Sequence, residues 1–393
     1  VGLVVWSFLS SPPSGEHGSY DPSGIVALSD GTFAIAGINH RQSKGDHSTN
    51  LFIGRFDARG QRQWFNVIGK RRADESAYSV IAYPDDSLLI SGQFDEEITF
   101  GRGSPNERTL ERDWSSKVFV AKFSKVGQFE WARQLPIGSY MAPLPNGALL
   151  VAASLESPVK LGDGDRQNSF SPRGFTEKSD ILLTRWDRDG ALDWAKQLGG
   201  NRFDRVHGLS TLSDGSWLLR GTFTKTLTFG DGETRDVQMT SIGEHESFLA
   251  RFDSSDQLLW SRSTGSTKGR SFINAAIMND GTVLAIDSFS APIIVGRGSK
   301  NEQHLQPREK NNLALTRFDS EGEPQWTKLV ATSSGNFSVR KLRFAPSGET
   351  VIAGYLAGTV TFGPHTAREQ EATTRGQSSM YVARFDPNGA LEW

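Results

Sequence analysis

Apolar runs of strand length fill this chain, and a short polar turn separates the members of each pair. The turns read Ser29-Asp30-Gly31, Pro84-Asp85-Asp86, Pro145-Asn146-Gly147, Ser213-Asp214-Gly215, Asn279-Asp280-Gly281 and Pro346-Ser347-Gly348. Asp-Gly and Asn-Gly between apolar runs predict tight hairpins, because such turns need positive φ. A third run follows and ends in a cation and an aromatic: Arg55-Phe56, Lys122-Phe123, Arg185-Trp186, Arg251-Phe252, Arg317-Phe318 and Arg384-Phe385. Next comes a D-x-x-G turn, as at Asp57–Gly60, Asp187–Gly190, Asp319–Gly322 and Asp386–Gly389, where Asp suits the first position and Pro387 the second. A fourth run then delivers a tryptophan.

Trp64, Trp131, Trp194, Trp260, Trp326 and Trp393 stand at near-equal intervals, so one supersecondary unit is copied six times. The copies run approximately over residues 7–64, 65–131, 132–194, 195–260, 261–326 and 327–393. Four antiparallel strands per copy predict an all-β fold, a six-bladed β-propeller forming a single domain over residues 1–393. Trp6 also ends a fourth-strand motif, since Gly2–Trp6 aligns with Gly389–Trp393, and seven blades are the alternative. Each copy is longer than four strands need, and the excess lies between the second and third runs. An extra hairpin or long loop is expected there, absent from the shorter first copy. A small residue recurs on the second strand at Gly37, Gly92, Ala153, Gly221 and Gly354, and Asp287 breaks the series in the fifth copy.

Composition narrows the chemistry. With 43 basic and 45 acidic residues in 393, nothing argues for a phosphate backbone as partner. There are no cysteines, which removes disulfides, thiolate metal sites and thiol nucleophiles. The apolar start, Val1 to Leu9, is too short to span a membrane and reads as a repeat fragment of a trimmed chain.

The turn, strand and tryptophan segments resemble the secreted bacterial β-propeller repeat (SBBP) family. The matching stretches are Gly221-Thr-Phe223 with Thr228-Phe229-Gly230, Phe119-Val-Ala-Lys122, and Asp187-Arg-Asp-Gly190 continuing through Trp194 to Gly199-Gly200. The family's Asp five residues before the cation survives as Asp180; the other copies carry Asn50, Lys117, Glu246, Asn312 and Ser379. The resemblance implies a propeller outside the cytoplasm (periplasm, outer membrane or cell surface) and brings no active site with it. The D-x-x-G-x-x-x-Trp segment is also similar, more weakly, to the tryptophan-docking motif of quinoprotein-type propellers.

Candidate sites are weighed against packing. A tryptophan or cation–aromatic pair present in every copy fits packing between blades better than a sugar-stacking array. Asp163-Gly-Asp165 and Asp231-Gly-Glu233 lack the ligand count of a calcium loop, and His40, Asp46 and His47 lack zinc spacing. Gly101-Arg-Gly-Ser104 and Gly296-Arg-Gly-Ser299 lack the lysine of a phosphate loop. No cofactor or metal is expected, and no hydrolase motif appears. Strand alternation sends the tight turns to one face and the long connections to the other. Arg71, Arg102, Trp114, Arg202 and Arg297 are the binding candidates on that long-loop face. Their mix of arginine and aromatics predicts a non-enzymatic scaffold docking into a protein assembly, with a carbohydrate-binding or carbohydrate-active propeller as the alternative.

Overall fold

A computed structural model describes residues 18–41, 48–70, 73–111, 117–136, 140–161, 168–173, 178–200, 202–229, 237–267, 272–278, 280–345, 348–374 and 376–393. These residues form a β-propeller built from six antiparallel units, with no helix among them. Blade 1 comprises Gly18–Ala27, Phe33–Arg41, Thr49–Phe56 and Arg62–Ile68, paired in chain order. Blades 2 to 5 repeat the plan, with their first strands at Glu75–Ala82, Tyr140–Pro143, Arg205–Thr211 and Phe272–Ile277. Blade 6 pairs Asn336–Phe344, Thr350–Ala357 and Ser379–Phe385, and Leu391 bridges Phe385 where a fourth strand begins. The ends of the first strands of blades 1 to 4 surround a cavity of about 410 Å³, so the first strands line the interior.

The expected insert is a hairpin in blades 2 to 6, as in Glu97–Phe100 with Arg108–Glu111 and Ile293–Arg297 with Gln303–Leu305. In blades 5 and 6 it joins the fourth strand of the preceding blade, extending those sheets to six strands.

Local chemistry sets the register. In the turn of blade 1 the Asp57 carboxylate accepts from the amides of Arg59 and Gln61 at 2.9 and 2.8 Å, and Gly60 takes φ 79°. The hairpin then carries a bulge, so that Phe56 faces Arg62 while Arg55 faces Trp64. The same bulge sets Trp194 opposite Arg185, Trp260 opposite Arg251 and Trp326 opposite Arg317.

That pairing explains why the cation and the indole recur together: both reach one acceptor on the turn of the next blade. Arg55 and Trp64 donate to the Lys125 carbonyl at 2.9 and 3.0 Å. Lys122 and Trp131 share the Arg188 carbonyl at 3.3 and 2.9 Å, and Arg251 and Trp260 share that of Ser320 at 3.2 and 2.9 Å. In blade 4 the turn ends in Asp256 at φ 62° instead of glycine, and its carboxylate takes over, 2.6 Å from Arg185 and 3.0 Å from Trp194. Each ring lies flat on its turn: a Cβ on Gly127, Gly190 or Gly322 would come within 2.6 Å of Trp64, Trp131 or Trp260. Positive φ and this approach together require glycine there.

At the break, Asp287 and its register partner change together. Gly37, Gly92 and Gly221 sit opposite Phe52, Phe119 and Phe248, whose rings would meet an added Cβ within 2.8 Å. Asp287 sits opposite Ala314, which carries no ring, and the first strand of blade 5 pairs without the bulge whose carbonyl would meet a Cβ at Gly37, Gly92 or Gly221. Ala153 opposite Leu182 is the intermediate case.

Trp131 and Trp260 are 6% exposed, while Trp64, Trp194 and Trp326 are half-buried. Replacing Trp260 by Ala should destabilise the protein by about 3–5 kcal/mol through lost burial and a residual cavity. Urea melts are the check, and a loss below about 1 kcal/mol would show that the indole does not join blades 4 and 5.

Candidate interaction surface

Alternation along the third strand divides each blade into a face toward its predecessor and a face toward its successor. In blade 6, Tyr381, Ala383 and Phe385 pack into the core shared with blade 5, and Met380 and Val382 point the other way. Leu51, Val118, Ile181, Ser247 and Leu313 occupy the Met380 position in the other blades, each 5% exposed or less. Ile53, Val120, Leu183, Leu249 and Leu315 occupy the Val382 position and are equally buried. Met380 is 71% exposed and Val382 46%. Tyr355, the register partner of Met380, is also exposed, as is Trp393.

Among the described residues the sheet edge beside them is unpaired as well. Arg384 exchanges backbone hydrogen bonds with Glu392 and Trp393 at 2.8 Å. Among the described residues no strand pairs with the outer side of Ser379–Ala383. An apolar sheet face beside an unpaired edge is a template for another β-structure. Sequence reasoning missed it, because Met380 and Val382 have the same apolar character as their buried counterparts.

The candidates read from sequence do not converge. Arg71 and Trp114 lie outside the described residues. Arg102 is exposed in the turn of the blade 2 hairpin, and Arg202 is exposed between blades 3 and 4. Arg297 is engaged: its guanidinium lies 2.6 Å from the buried Glu246 carboxylate and 3.1 Å from the Thr240 carbonyl. Nor do the hairpins project as loops from the long-loop face. Gly101, Gly296 and Gly363 pack against Phe129, Pro324 and Leu391, each just past a D-x-x-G-type turn. Arg102 and Arg297 therefore lie on the flank of the sheet, because the hairpin folds back along it.

In blades 3 to 5 the column that holds Asp180 has a shared role. Asp180 accepts from the Arg173 amide at 3.1 Å and from Gln197, and Glu246 accepts from the Ile242 amide at 2.5 Å. Asn312 accepts from the Arg308 and Glu309 amides at 3.0 and 3.3 Å. These side chains tie the end of the insert to the third strand. Behind them lie further buried acids. Burial pushes Glu75 up to about 8 and Asp204 up to about 7, against opposing backbone donors to both and with the Asp180 charge adding to the second. Asp287, fully enclosed beside Thr264, is pushed up to about 8 by burial. Among the described residues no three acidic or histidine side chains gather as a metal site would require.

No family model matches the chain. An uncharacterized WD repeat-containing protein of Acanthamoeba polyphaga mimivirus is 22% identical over 229 residues, 52% of this chain. The chain spans 16% of the length of that curated relative. Among solved structures, the β-propeller domain of the Trilobed protease from Pyrococcus furiosus is similar at 11% identity and a TM-score of 0.32, covering 94% of this chain and 93% of that one. A protein of unknown function from Bacteroides caccae gives the same identity and TM-score over 81% and 83%.

The buried acids make stability depend on pH in one direction. Their folded pKa values lie above the unfolded ones, so the folded state holds more protons. Stability is full below about pH 4 as far as these groups are concerned, and falls as pH rises toward about 8 at up to ~1.4 kcal/mol per unit per group. Asp287→Asn should therefore gain on the wild type as pH rises from 5 to 8. Denaturant melts showing the same difference at both pH values would contradict this.

Proposed function

We propose that this chain is a non-enzymatic interaction propeller of the secreted bacterial repeat type, acting outside the cytoplasm and docking into a larger protein assembly. The exposure of Met380 and Val382, at positions covered in all five other blades, carries the reading. A partner that lays an apolar sheet face over Tyr355, Met380 and Val382 and pairs with the open edge would bury them as each successor blade buries its predecessor. The exposed guanidinium groups of Arg102 and Arg202, with Arg71 and Trp114, are further contacts in this proposal and would add orientation more than affinity. Arg297 contributes through the hairpin it fastens to blade 4.

The double variant Met380→Asp, Val382→Asp tests it. Its melting temperature should stay near that of the wild type, since substitutions at exposed positions cost little. Capture of the partner from envelope extract by the tagged chain should be lost, while Arg59→Glu on the tight-turn side should capture normally. Retained capture by the double variant would refute the proposal, as would turnover of a glycan by the purified protein. A large fall in melting temperature would show that the chain itself covers this face in solution.

A further inference from the structure

One side chain departs from the repeat inside the molecule. On the second strand of blade 4 (Trp217–Phe223), Arg220 occupies the position held elsewhere by Ala36, Ser91, Ala152, Ile286 and Ala353. Five blades place a small or apolar group there, and blade 4 places a guanidinium. The neighbouring strand makes room for it: a Cβ on Gly208 would lie 2.6 Å from Nε and from Nη2. A bulge between Val206 and Gly208 sets that glycine beneath the guanidinium.

Arg220 reaches a cavity of about 370 Å³ between blades 4, 5 and 6, bordered also by Ser210, Asn274 and Arg343. Among the described residues no carboxylate lines this cavity. Among the described residues no group accepts a hydrogen bond from the Arg220 guanidinium. The charges around it do not neutralise it. Tyr140 is a phenol, and His207 is held below its usual range by burial and then by Arg220 and Arg205. A half-buried guanidinium without a counter-ion is costly in the free protein, and an anion that enters the cavity removes that cost.

We propose that this cavity binds a small organic carboxylate, held by the Arg220 guanidinium with Ser210 and Asn274 beside it. The planar fork of arginine matches the two oxygens of a carboxylate. The volume suits a ligand the size of an acidic sugar or an amino acid. A phosphate dianion would call for a second enclosed cation, whereas Arg343 is exposed and donates to the Leu342 carbonyl at 3.0 Å.

Thermal shift and calorimetry on the full chain test the site, with glucuronate, N-acetylglycylglycine, inorganic phosphate and neutral glucose as probes. Alanine is the resident residue at this position in three other blades, so Arg220→Ala should melt at or above the wild-type temperature without ligand. One of the two carboxylates should raise the wild-type melting temperature and bind at least tenfold more weakly to Arg220→Ala. Whether that carboxylate is the sugar acid or the peptide terminus identifies its source. Equal shifts in both proteins, no shift with either carboxylate, or a stronger response to phosphate would overturn the assignment. A markedly less stable Arg220→Ala would also overturn it, by showing that the guanidinium supports the fold.

Discussion

At each of the first four junctions between blades, an indole and a cation from neighbouring strands meet on the successor's turn. The indole supplies the apolar area and its N–H fixes the ring's orientation, while the cation saturates the same acceptor. A third donor often joins them: Asn66, Arg133 and Arg262 reach the carbonyls of Gly127, Gly190 and Gly322 at 2.8, 2.6 and 2.8 Å. The fifth junction keeps the stacking and changes the donor, with Trp326 over Gly389 and Lys328 bonded to the Asn388 carbonyl at 2.6 Å. Beside this contact, the side chains of each third strand that face the successor blade are buried in core. Met380 and Val382 show the converse: among the described residues nothing covers these positions of blade 6, and they are exposed.

The fastening tolerates exchange where its parts change together. Asp256 replaces a turn glycine and supplies with its carboxylate the acceptor that Lys125, Arg188 and Ser320 supply with carbonyls. Its other oxygen accepts from Trp217 at 3.0 Å, and that ring stacks on Phe252 at 3.9 Å. One carboxylate thus gathers three donors from two blades. The Asp287–Ala314 pair likewise changes both members together, at the expense of an acid that stays protonated near neutral pH.

Much of the frame was legible in the chain because its parts are local. Turn glycines with positive φ, the D-x-x-G carboxylate and the strand alternation all act within a few residues, and the structure bears out the β-propeller and its extra hairpins. What the tryptophan meets was not legible, since its acceptor lies about one repeat downstream in a turn that already had a local explanation. The hairpins looked like exposed loops, because nothing local shows that Gly101 or Gly296 rests on Phe129 or Pro324. The exposed face of blade 6 was hidden for a different reason: its residues are of ordinary core type, and only their exposure sets them apart. Arg220 could have been found by aligning the second strands, where it is the sole charged residue in its column.

The junction of blades 3 and 4 allows the most direct test of the fastening. Arg185 and Asp256 meet there at 2.6 Å with side chains 16% and 11% exposed, and glycine is the ordinary residue at the Asp256 position. A double-mutant cycle of Arg185→Met with Asp256→Gly isolates the contact while the turn keeps its conformation. The coupling free energy expected from equilibrium unfolding is about 1–3 kcal/mol. Additivity within about 0.3 kcal/mol would contradict it, showing that the blades are held by general packing and not by this shared acceptor.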